Sequence, residues 1–323
     1  MTSTRQHKIT YFLRLLLSLS LITFILWKVK WPDLLATVSD INPWYLPPFF
    51  LLSFIMIWIS CLKWQILLGE RNIRVRMGRL FSLYLMGYFF NYFMPGRYGG
   101  GLARSYILGR EIKTLSESFT SVFLERFTGL TALVAFTLLS SVVNLDLLGN
   151  TAIFIPVLLI VLGYLFLLFL LFSNKVHRLS ARIRDRFPAA GVLDKLIACH
   201  LIVLSFRNKG RIIRNTLIIS LLFHAMAILN VVLACLCLGI HIDLFHLALF
   251  VPVIQLVCMI PVSINGFGIQ EGAYIYLFSL VGVPMHAALS VSLILRAKNI
   301  ILSLVGGLLF STGKKRYPHA PLS

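Results

Sequence analysis

Two short glycine-rich segments interrupt an otherwise apolar chain, and each contains an ionisable residue. The first segment, residues 91–101, carries Arg97, and the second, residues 261–272, carries Glu271. Irregular backbone is tolerated at membrane depth only where it is buried in protein or lines a water-filled cavity. An ionisable residue at such a place indicates a functional site. Two interruptions, one in each half of the chain, are typical of inverted-repeat transporters.

The chemistry expected of the first segment is anion binding. Its proline and glycines free backbone N–H groups near the start of a returning helix, where an anion is stabilised. Arg97 and Arg104 add positive charge, and the planar arginine fork suits phosphate because it can bond two oxygens at once. Close packing of a hairpin would also explain the glycines, but it would not explain Arg97. The candidate residues here are Asn91, Pro95, Gly96, Arg97, Gly99, Gly100 and Arg104.

The second segment offers hydrogen-bond acceptors, small polar side chains and one carboxylate. Glu271 is expected either to pair with Arg97 of the first segment or to act as a protonatable coupling group. The candidate residues of this segment are Pro261, Asn265, Gly266, Gly268, Glu271 and Gly272.

Further charges fall inside apolar stretches of the chain. Glu125 and Arg126 lie early in one stretch, and Arg296 and Lys298 lie near the middle of the last one. A charge at the centre of a membrane helix costs about 2.5–3.5 kcal/mol on insertion scales, so none of these is expected to face lipid. Adjacent helical residues do not face each other, so Glu125 and Arg126 should find separate partners. Arg296 is expected to pair with Glu271 or with Glu125, and structural ion pairing between helices explains these charges as well as a site does.

The composition is that of a polytopic membrane protein. The 323 residues are 59% hydrophobic and 13% charged, against roughly 25% charged in globular proteins. The net charge of +19 fits basic cytoplasmic loops better than nucleic-acid binding, because no nucleic-acid motif accompanies it. The five cysteines show no Cys-x-x-Cys pair and the histidines no i,i+4 pair, so neither a disulfide framework nor a metal site nor a cofactor is expected.

Hydropathy and length predict an all-α architecture with six full spans. A span needs about 20 apolar residues. The predicted spans are 10–28, 46–68, 117–143, 152–173, 215–238 and 285–311. Basic residues are concentrated in the loop at 69–79, in the loop at 174–214 and at the C-terminus, so these regions are expected in the cytoplasm together with the N-terminus.

The two glycine-broken stretches, 80–109 and 245–283, are expected to be re-entrant hairpins. Loops of like charge flank the first stretch, so the chain should enter and leave on the cytoplasmic side. The loop at 239–244 has no Lys or Arg and is expected outside, and only the span 285–311 separates the second stretch from the cytoplasmic C-terminus, so the second stretch should return to the outer side. The single membrane domain, 1–323, then consists of inverted halves at about 10–147 and 150–311. A weaker alternative treats each break as a kink within a longer tilted span or pair of spans.

Single polar and aromatic residues complete the sequence-based expectations. His224, Asn230 and Gln255 should form hydrogen bonds between helices. Tryptophans near span ends are expected to be anchors at the membrane interface, namely Trp27, Trp31, Trp44 and Trp64.

The motifs resemble those of the lysylphosphatidylglycerol synthase transmembrane family, also called the flippase-like domain family. The matching residues are Asn91 to Arg104 with a Pro-Gly-Arg-x-Gly-Gly tip, Glu125-Arg-Phe-x-Gly129, Pro261 to Gly272, Gly282-Val283 and Arg296. The resemblance covers about residues 10–310 and implies translocation of a lipid headgroup across the bacterial inner membrane. Larger relatives join this module to a cytoplasmic aminoacyl-transferase domain. This chain ends at Ser323 with no such domain, so lysylphosphatidylglycerol synthesis is not expected of it.

The leading hypothesis is a lipid flippase or scramblase, not an enzyme, whose cargo is a phospholipid or a polyprenyl-phosphate-linked headgroup. Arg97 and Arg104 would bind phosphate between the two tips. Glu271 would act as a gate in the transport path or as a coupling group. The sequence has no P-loop, so a gradient or downstream consumption would drive transport. Two alternatives are a non-catalytic scaffold in lipid or glycan synthesis and a membrane lipid-phosphate transferase. Expected partners are membrane lipids with anionic headgroups and possible biosynthetic enzymes, without nucleic acid.

Overall fold

The structure is a computed structural model that describes residues 20, 23, 25, 27, 31–93, 99–149, 151–172, 209–260 and 263–313. Within these ranges the regular structure is helical throughout, with no strand, as the sequence predicts. The α-helices are α1 (Trp31–Ser39), α2 (Leu46–Gly69), α3 (Met77–Phe93), α4 (Gly99–Glu111), α5 (Leu115–Val143), α6 (Leu145–Leu148), α7 (Thr151–Phe172), α8 (Gly210–Cys237), α9 (Leu244–Val257), α10 (Ile269–Ser279) and α11 (Met285–Gly313). Short 3₁₀ turns occupy Pro43–Tyr45 and Ile264–Gly266.

Within the described residues, five helical segments are long and apolar enough to cross a membrane. They are Pro43–Gly69, Leu115–Val143, Ile153–Leu170, Gly210–Cys237 and Met285–Thr312. They coincide in position with five of the six predicted spans. The remaining one, 10–28, lies almost wholly outside the described residues. These helices make the chain a multi-pass membrane protein.

Helix α8 begins at Gly210, about five residues before the predicted span. Arg211 and Arg214, which the sequence analysis placed in the basic loop, therefore lie on its first turns. Hydropathy marks where the apolar stretch begins, whereas arginine is a good helix former and extends the helix beyond that stretch. Residues 174–208 of the predicted loop lie outside the described residues.

Both glycine-broken stretches are pairs of short helices that pack against each other. The first pair is α3 with α4 and the second is α9 with α10. Their lengths of 17, 13, 14 and 11 residues correspond to roughly 17 to 26 Å at 1.5 Å per residue. Each helix is thus shorter than the membrane core of about 30 Å.

The second break has a backbone that requires glycine. Gly266 has a φ of 73° and Gly268 a φ of 79°, both in the left-handed region. Asn265 lies in the same region, with a φ of 48°. Asparagine tolerates this conformation and glycine adopts it without steric cost. The sequence signal for a helix break between 261 and 268 therefore has a local cause.

Ion pairs gather at one end of the helix bundle. Arg79 at the start of α3 pairs with Glu111 at the end of α4, so the first helix pair begins and ends on the same side. Arg71 pairs with Glu117 at 3.2 Å, and Lys209 pairs with Glu70. This end therefore collects the loops after α2 and α4 and the start of α8.

The start of α9 lies at the opposite end. Asn144, which follows α5, donates from Nδ2 to the carbonyl of Phe245 at 3.0 Å. The backbone N–H of Asn42 donates to the carbonyl of Cys237 at 2.8 Å. Leu289 in the first turns of α11 packs with Leu34 of α1, just before Asn42. The end of α10, which α11 follows closely, therefore returns to the side on which α9 begins.

Close packing between helices relies on small residues. A Cβ on Gly100 of α4 would overlap the carbonyl of Gly87 on α3, and one on Gly306 of α11 would overlap the carbonyl of Leu85. Close backbone approach of this kind is the usual basis of helix association in lipid. By contrast, α7 keeps most of its leucine and phenylalanine side chains exposed, as a lipid-facing helix should.

Trp64 corrects one sequence-based expectation. Trp27, Trp31 and Trp44 are exposed, as anchors at a membrane interface must be, but Trp64 is fully buried. Its indole Nε1 donates to Ser121 Oγ on α5 at 2.9 Å. The prediction for Trp64 was wrong because a tryptophan near a span end can also turn inward if its N–H finds a partner there.

Candidate functional site

A cavity of about 410 Å³ lies between the helices and receives side chains from both halves of the chain. Its described charged residues are four cations and one carboxylate, namely Lys63, Arg104, Arg126, Arg296 and Glu125. Other polar residues of its lining are Ser60, Tyr84, Tyr88, Asn91, Tyr92, Ser220, His224, Asn265, Gln270 and Asn299. Seven candidate residues chosen from the sequence thus meet at one cavity: Asn91, Gly100, Arg104, Glu125, Arg126, Asn265 and Arg296.

The first-half wall of the cavity is built around a buried ion pair. Arg104 Nη2 on α4 donates to Glu125 Oε2 on α5 at 2.6 Å, and both side chains are less than a tenth exposed. The Tyr84 hydroxyl donates to Glu125 Oε1. The Arg104 guanidinium lies 3.9 Å from the ring centroid of Tyr84 and 4.6 Å from that of Trp64. Two aromatic rings and one carboxylate therefore fix its orientation.

One donor of this arginine is left over. Arg104 Nη1 is buried and has no hydrogen-bond partner among the described residues. A buried unsatisfied donor is costly. Arg104 lines the cavity, but this nitrogen is covered by neighbouring atoms, so an entering acceptor would reach it only if those atoms moved.

Lys63 is a cavity residue that the sequence analysis missed. It lies on α2 and is 8% exposed, and its Nζ donates to the carbonyl of Glu125 at 2.9 Å and to Ser220 Oγ at 3.0 Å. It thereby connects α2, α5 and α8. The signal was present, since a lysine in the apolar run 46–68 has the same cost as the charges that were noticed. It stood apart from the glycine motifs and was overlooked for that reason.

In the second half, the Glu271 side chain caps the start of α10. Its Oε2 accepts the backbone N–H of Gly268 at 2.8 Å, and its Oε1 accepts from Arg296 Nε on α11 at 2.5 Å. Of the partners expected for Arg296, the structure selects Glu271. A helix N-terminus favours an anion, and here the protein's own carboxylate occupies that position. Glu271 is buried behind the cavity lining, whereas Arg296 is part of it.

Arg296 also contacts the second helix break and, through Phe267, links it to the end of α3. Its guanidinium lies 3.8 Å from the ring centroid of Phe267, and its Nη2 donates to the carbonyl of Gly266 at 3.4 Å. Phe267 in turn packs edge-on against Tyr92 at the end of α3, with centroids 6.4 Å apart. The second break thus adjoins the end of the helix that leads into the first one.

The start of α4 is held by Asn91. The backbone N–H of Gly100 donates to Asn91 Oδ1 at 2.7 Å, so one of the N–H groups expected to bind an anion already has a partner. Gly99 and Gly100 are buried as the first residues of α4, and Gly272 lies in the first turn of α10 with open space around it. The guanidinium of Arg126 lies directly against Gly101.

Several predicted site residues cannot be placed against this geometry. Pro95, Gly96, Arg97 and Pro261 lie outside the described residues.

The expected hydrogen bonds between helices are present for His224 and Asn230. His224 Nε2 lies 3.1 Å from the carbonyl of Gly129. Asn230 Nδ2 donates to the carbonyl of Phe49, and its Oδ1 accepts from Lys298 Nζ at 2.6 Å. Lys298 therefore has a structural partner on α8, away from the cavity lining.

Metal binding would need a cluster of suitable ligands. Across the described part of the chain, no three His, Cys, Asp or Glu side chains come close enough together to hold a metal ion.

The fold and the site define a multi-pass helical membrane protein with a cation-rich cavity to which both broken helix pairs contribute. The family model described as the lysylphosphatidylglycerol synthase TM region matches residues 11–307. The chain belongs to this family, which confirms the resemblance seen in the motifs.

Relatives are found among the archaea. The chain is similar to a UPF0104 membrane protein of Pyrococcus horikoshii, with 25% identity over 340 residues that cover 94% of this chain and 97% of the relative. It is also similar to a UPF0104 membrane protein of Methanothermobacter thermautotrophicus, with 21% identity over 304 residues that cover 86% and 85% of the two chains. No solved structure matches the chain.

Proposed function

We propose that this protein is a lipid flippase or scramblase-like transporter whose cavity receives a phosphate-bearing lipid headgroup. The observation that carries the proposal is the charge of the cavity, where the described lining has four cations against one carboxylate. Cations buried at membrane depth are costly and mark substrate pathways. An anionic headgroup would offset the excess charge while its acyl chains stay in lipid.

The two broken helix pairs are the proposed re-entrant hairpins. The ion pair between Arg79 and Glu111 supports this for the first hairpin, because it joins the start of α3 to the end of α4. The contacts of Asn144 and Leu289 support it for the second, whose ends lie at the opposite side of the bundle. Each hairpin helix is shorter than the membrane is thick, as a re-entrant segment must be.

The halves 10–147 and 150–311 form the proposed inverted repeat, and helix packing supports it. In this repeat α2 corresponds to α8, α3 to α9, α4 to α10, and α5 to α11. Helix α3 packs against α11, and its counterpart α9 packs against α5, which is the counterpart of α11. Helices α2 and α8 pack against each other, as elements next to a pseudo-twofold axis do. The ion pairs correspond as well, with Arg104 and Glu125 in one half and Glu271 and Arg296 in the other.

Six of the predicted site residues have a proposed role in transport. Arg97 and Arg104 bind phosphate, supported for Arg104 by its unpartnered Nη1. Arg126 and Arg296 add positive charge to the walls, and Asn91 holds the first hairpin in shape through Gly100. Glu271 gates the second hairpin: its carboxylate occupies the anion-binding start of α10 and would release Arg296 if it moved or became protonated.

The proposed setting is the bacterial inner membrane, with both termini in the cytoplasm. The end of the bundle that gathers Arg71, Arg79 and Lys209 is the cytoplasmic side by the positive-inside rule. The proposed partners are membrane lipids with anionic headgroups and enzymes of lipid or glycan synthesis that supply or use the cargo. We propose transport without a catalytic reaction.

Headgroup translocation in proteoliposomes tests the proposal. Labelled phosphatidylglycerol, phosphatidylethanolamine and a polyprenyl-phosphate sugar are offered to wild type, Arg97→Ala and Glu271→Gln. Acceleration of one lipid by wild type, lost in both variants, is the expected result. Folded protein that accelerates none of them, with or without a proton gradient, would favour a scaffold. Turnover of a lipid-phosphate donor by purified protein would favour a transferase.

A further inference from the structure

We infer that the cavity selects headgroups in which the phosphate carries neutral hydroxyl groups, and that it disfavours headgroups bearing an amine. This inference rests on the proposed function and specifies its substrate class. A glycerol headgroup and a phosphate-linked sugar share this chemistry, whereas ethanolamine and lysyl headgroups do not.

The carboxylates of the described site leave little to attract an amine. Glu125 lines the cavity, but Oε1 accepts the Tyr84 hydroxyl and Oε2 accepts Arg104 Nη2. Glu271 lies behind the lining, and both of its oxygens also accept hydrogen bonds. An ammonium group in this cavity would share its lining with four cations, and although Arg104 and Arg296 are ion-paired with Glu125 and Glu271, the net charge of these groups is positive. Repulsion between like charges therefore disfavours a cationic headgroup in the cavity.

Two unpartnered carboxamides match hydroxyl groups instead. Asn265 and Asn299 line the cavity, are half-buried, and make no hydrogen bond with any described residue through their side chains. A carboxamide has both an acceptor and two donors, and a hydroxyl group also donates and accepts. Each group can therefore donate a hydrogen bond to the other or accept one from it. The other cavity amides have partners: Gln270 Nε2 donates to Ser292 Oγ, and Asn91 Oδ1 accepts from Gly100.

The positions of these groups separate two subsites. Asn299 lies three residues after Arg296 on α11, so both side chains project from nearly the same face of that helix. Asn265 lies in the break of the second hairpin. The hydroxyl subsite thus belongs to the second half. Arg104 belongs to the first half, lines the same cavity and has one donor without a partner, Nη1, which would serve phosphate once uncovered. A headgroup with phosphate at one end and hydroxyls at the other would contact both subsites.

Binding to purified protein in nanodiscs tests the inference without requiring transport. Bound fluorescent phosphatidylglycerol is displaced by unlabelled phosphatidylglycerol, a polyprenyl-phosphate hexose, phosphatidylethanolamine or lysylphosphatidylglycerol. The first two competitors should bind at least about tenfold more tightly than the two amines, a difference of roughly one hydrogen bond. Whichever of the first two competitors binds more tightly identifies the lipid that supplies the headgroup, either a glycerolipid or a glycan carrier. Amines that compete as well as phosphatidylglycerol would overturn the inference.

Variants at Asn299 make the test specific. Asn299→Leu should lose most of the preference for hydroxylated headgroups. Asn299→Asp should improve amine binding relative to phosphatidylglycerol by about tenfold, because it adds a carboxylate without a partner. Asn215→Asp is the matched control: Asn215 is exposed on α8 outside the cavity and should leave the ratio unchanged. A folded Asn299→Asp protein with the wild-type ratio would overturn the inference. Selective binding without translocation would refute the transport proposal but support the headgroup selection.

Discussion

Replacing Glu125 by glutamine should destabilise the protein by about 3 kcal/mol. Glu125 and Arg104 are 9% and 5% exposed and lie 2.6 Å apart, and Tyr84 donates to the second carboxylate oxygen. Removing one partner of a buried ion pair typically costs about 3–5 kcal/mol because the other charge stays buried and uncompensated. Glutamine keeps one oxygen for one of the two donors, which places the expected cost at the lower end.

A double-mutant cycle isolates the pair from the rest of the site. Arg104→Met alone should also destabilise, because it leaves the Glu125 carboxylate buried. Adding Arg104→Met to Glu125→Gln removes the stranded charge, so the double variant should recover much of the loss. The expected coupling energy is about 2–3 kcal/mol. The measurement is reversible unfolding in mixed detergent micelles, followed by circular dichroism.

The surface pair of Arg71 and Glu117 provides the control. Its side chains are 25% and 35% exposed, so Glu117→Gln should cost less than about 1 kcal/mol. If Glu125→Gln and Glu117→Gln both fell within about 0.5 kcal/mol of wild type, with no coupling to Arg104, the account of a buried, structurally demanding pair would be refuted.

Three further substitutions, and one control at Gly163, have definite expectations. Lys63→Met should weaken binding of phosphatidylglycerol by about ten- to hundredfold in the displacement assay, since a charged hydrogen-bond donor contributes about 1.5–3 kcal/mol; unchanged binding would remove Lys63 from the site. Gly306→Ala should lower stability by roughly 1–3 kcal/mol, because its Cβ would overlap the Leu85 carbonyl. Gly163→Ala, in open space on α7, should not destabilise. Gly268→Ala should cost about 1–2 kcal/mol because its φ is 79°, and thermal unfolding that matches wild type would contradict this.

The sequence was sufficient for features that depend on the local pattern. Apolar runs located five membrane-crossing helices within a few residues, and glycine and proline located both helix breaks. The cost of burying charge was enough to single out Glu125, Arg126, Arg296 and Lys298, of which the first three line one cavity and Lys298 pairs with Asn230 away from it. Arg104, chosen as a phosphate ligand, lines the same cavity. These predictions succeed because each depends on the chain's own periodicity or on the cost of placing one residue in lipid.

Predictions of which side chains pair, and of which way a side chain faces, were less successful. The sequence left Arg296 with two possible partners, and helix packing decided for Glu271. The position of Trp64 near a span end predicts an interfacial anchor, although contacts from α4 and α5 surround it. Lys63 and Asn299 drew no attention, since their roles depend on which face of α2 or α11 meets the cavity. Such facts depend on contacts between residues that are distant in sequence, which hydropathy does not encode.

Obstructing the cavity is the most direct test of its role as the path of a lipid headgroup. Translocation of labelled phosphatidylglycerol in proteoliposomes is compared between wild type, Asn299→Trp, which places an indole in the cavity lining, and Asn215→Trp, which places one on an exposed part of α8. The account predicts that Asn299→Trp abolishes the acceleration and that Asn215→Trp retains it. Full translocation by a folded Asn299→Trp protein would contradict the claim that headgroups pass through this cavity.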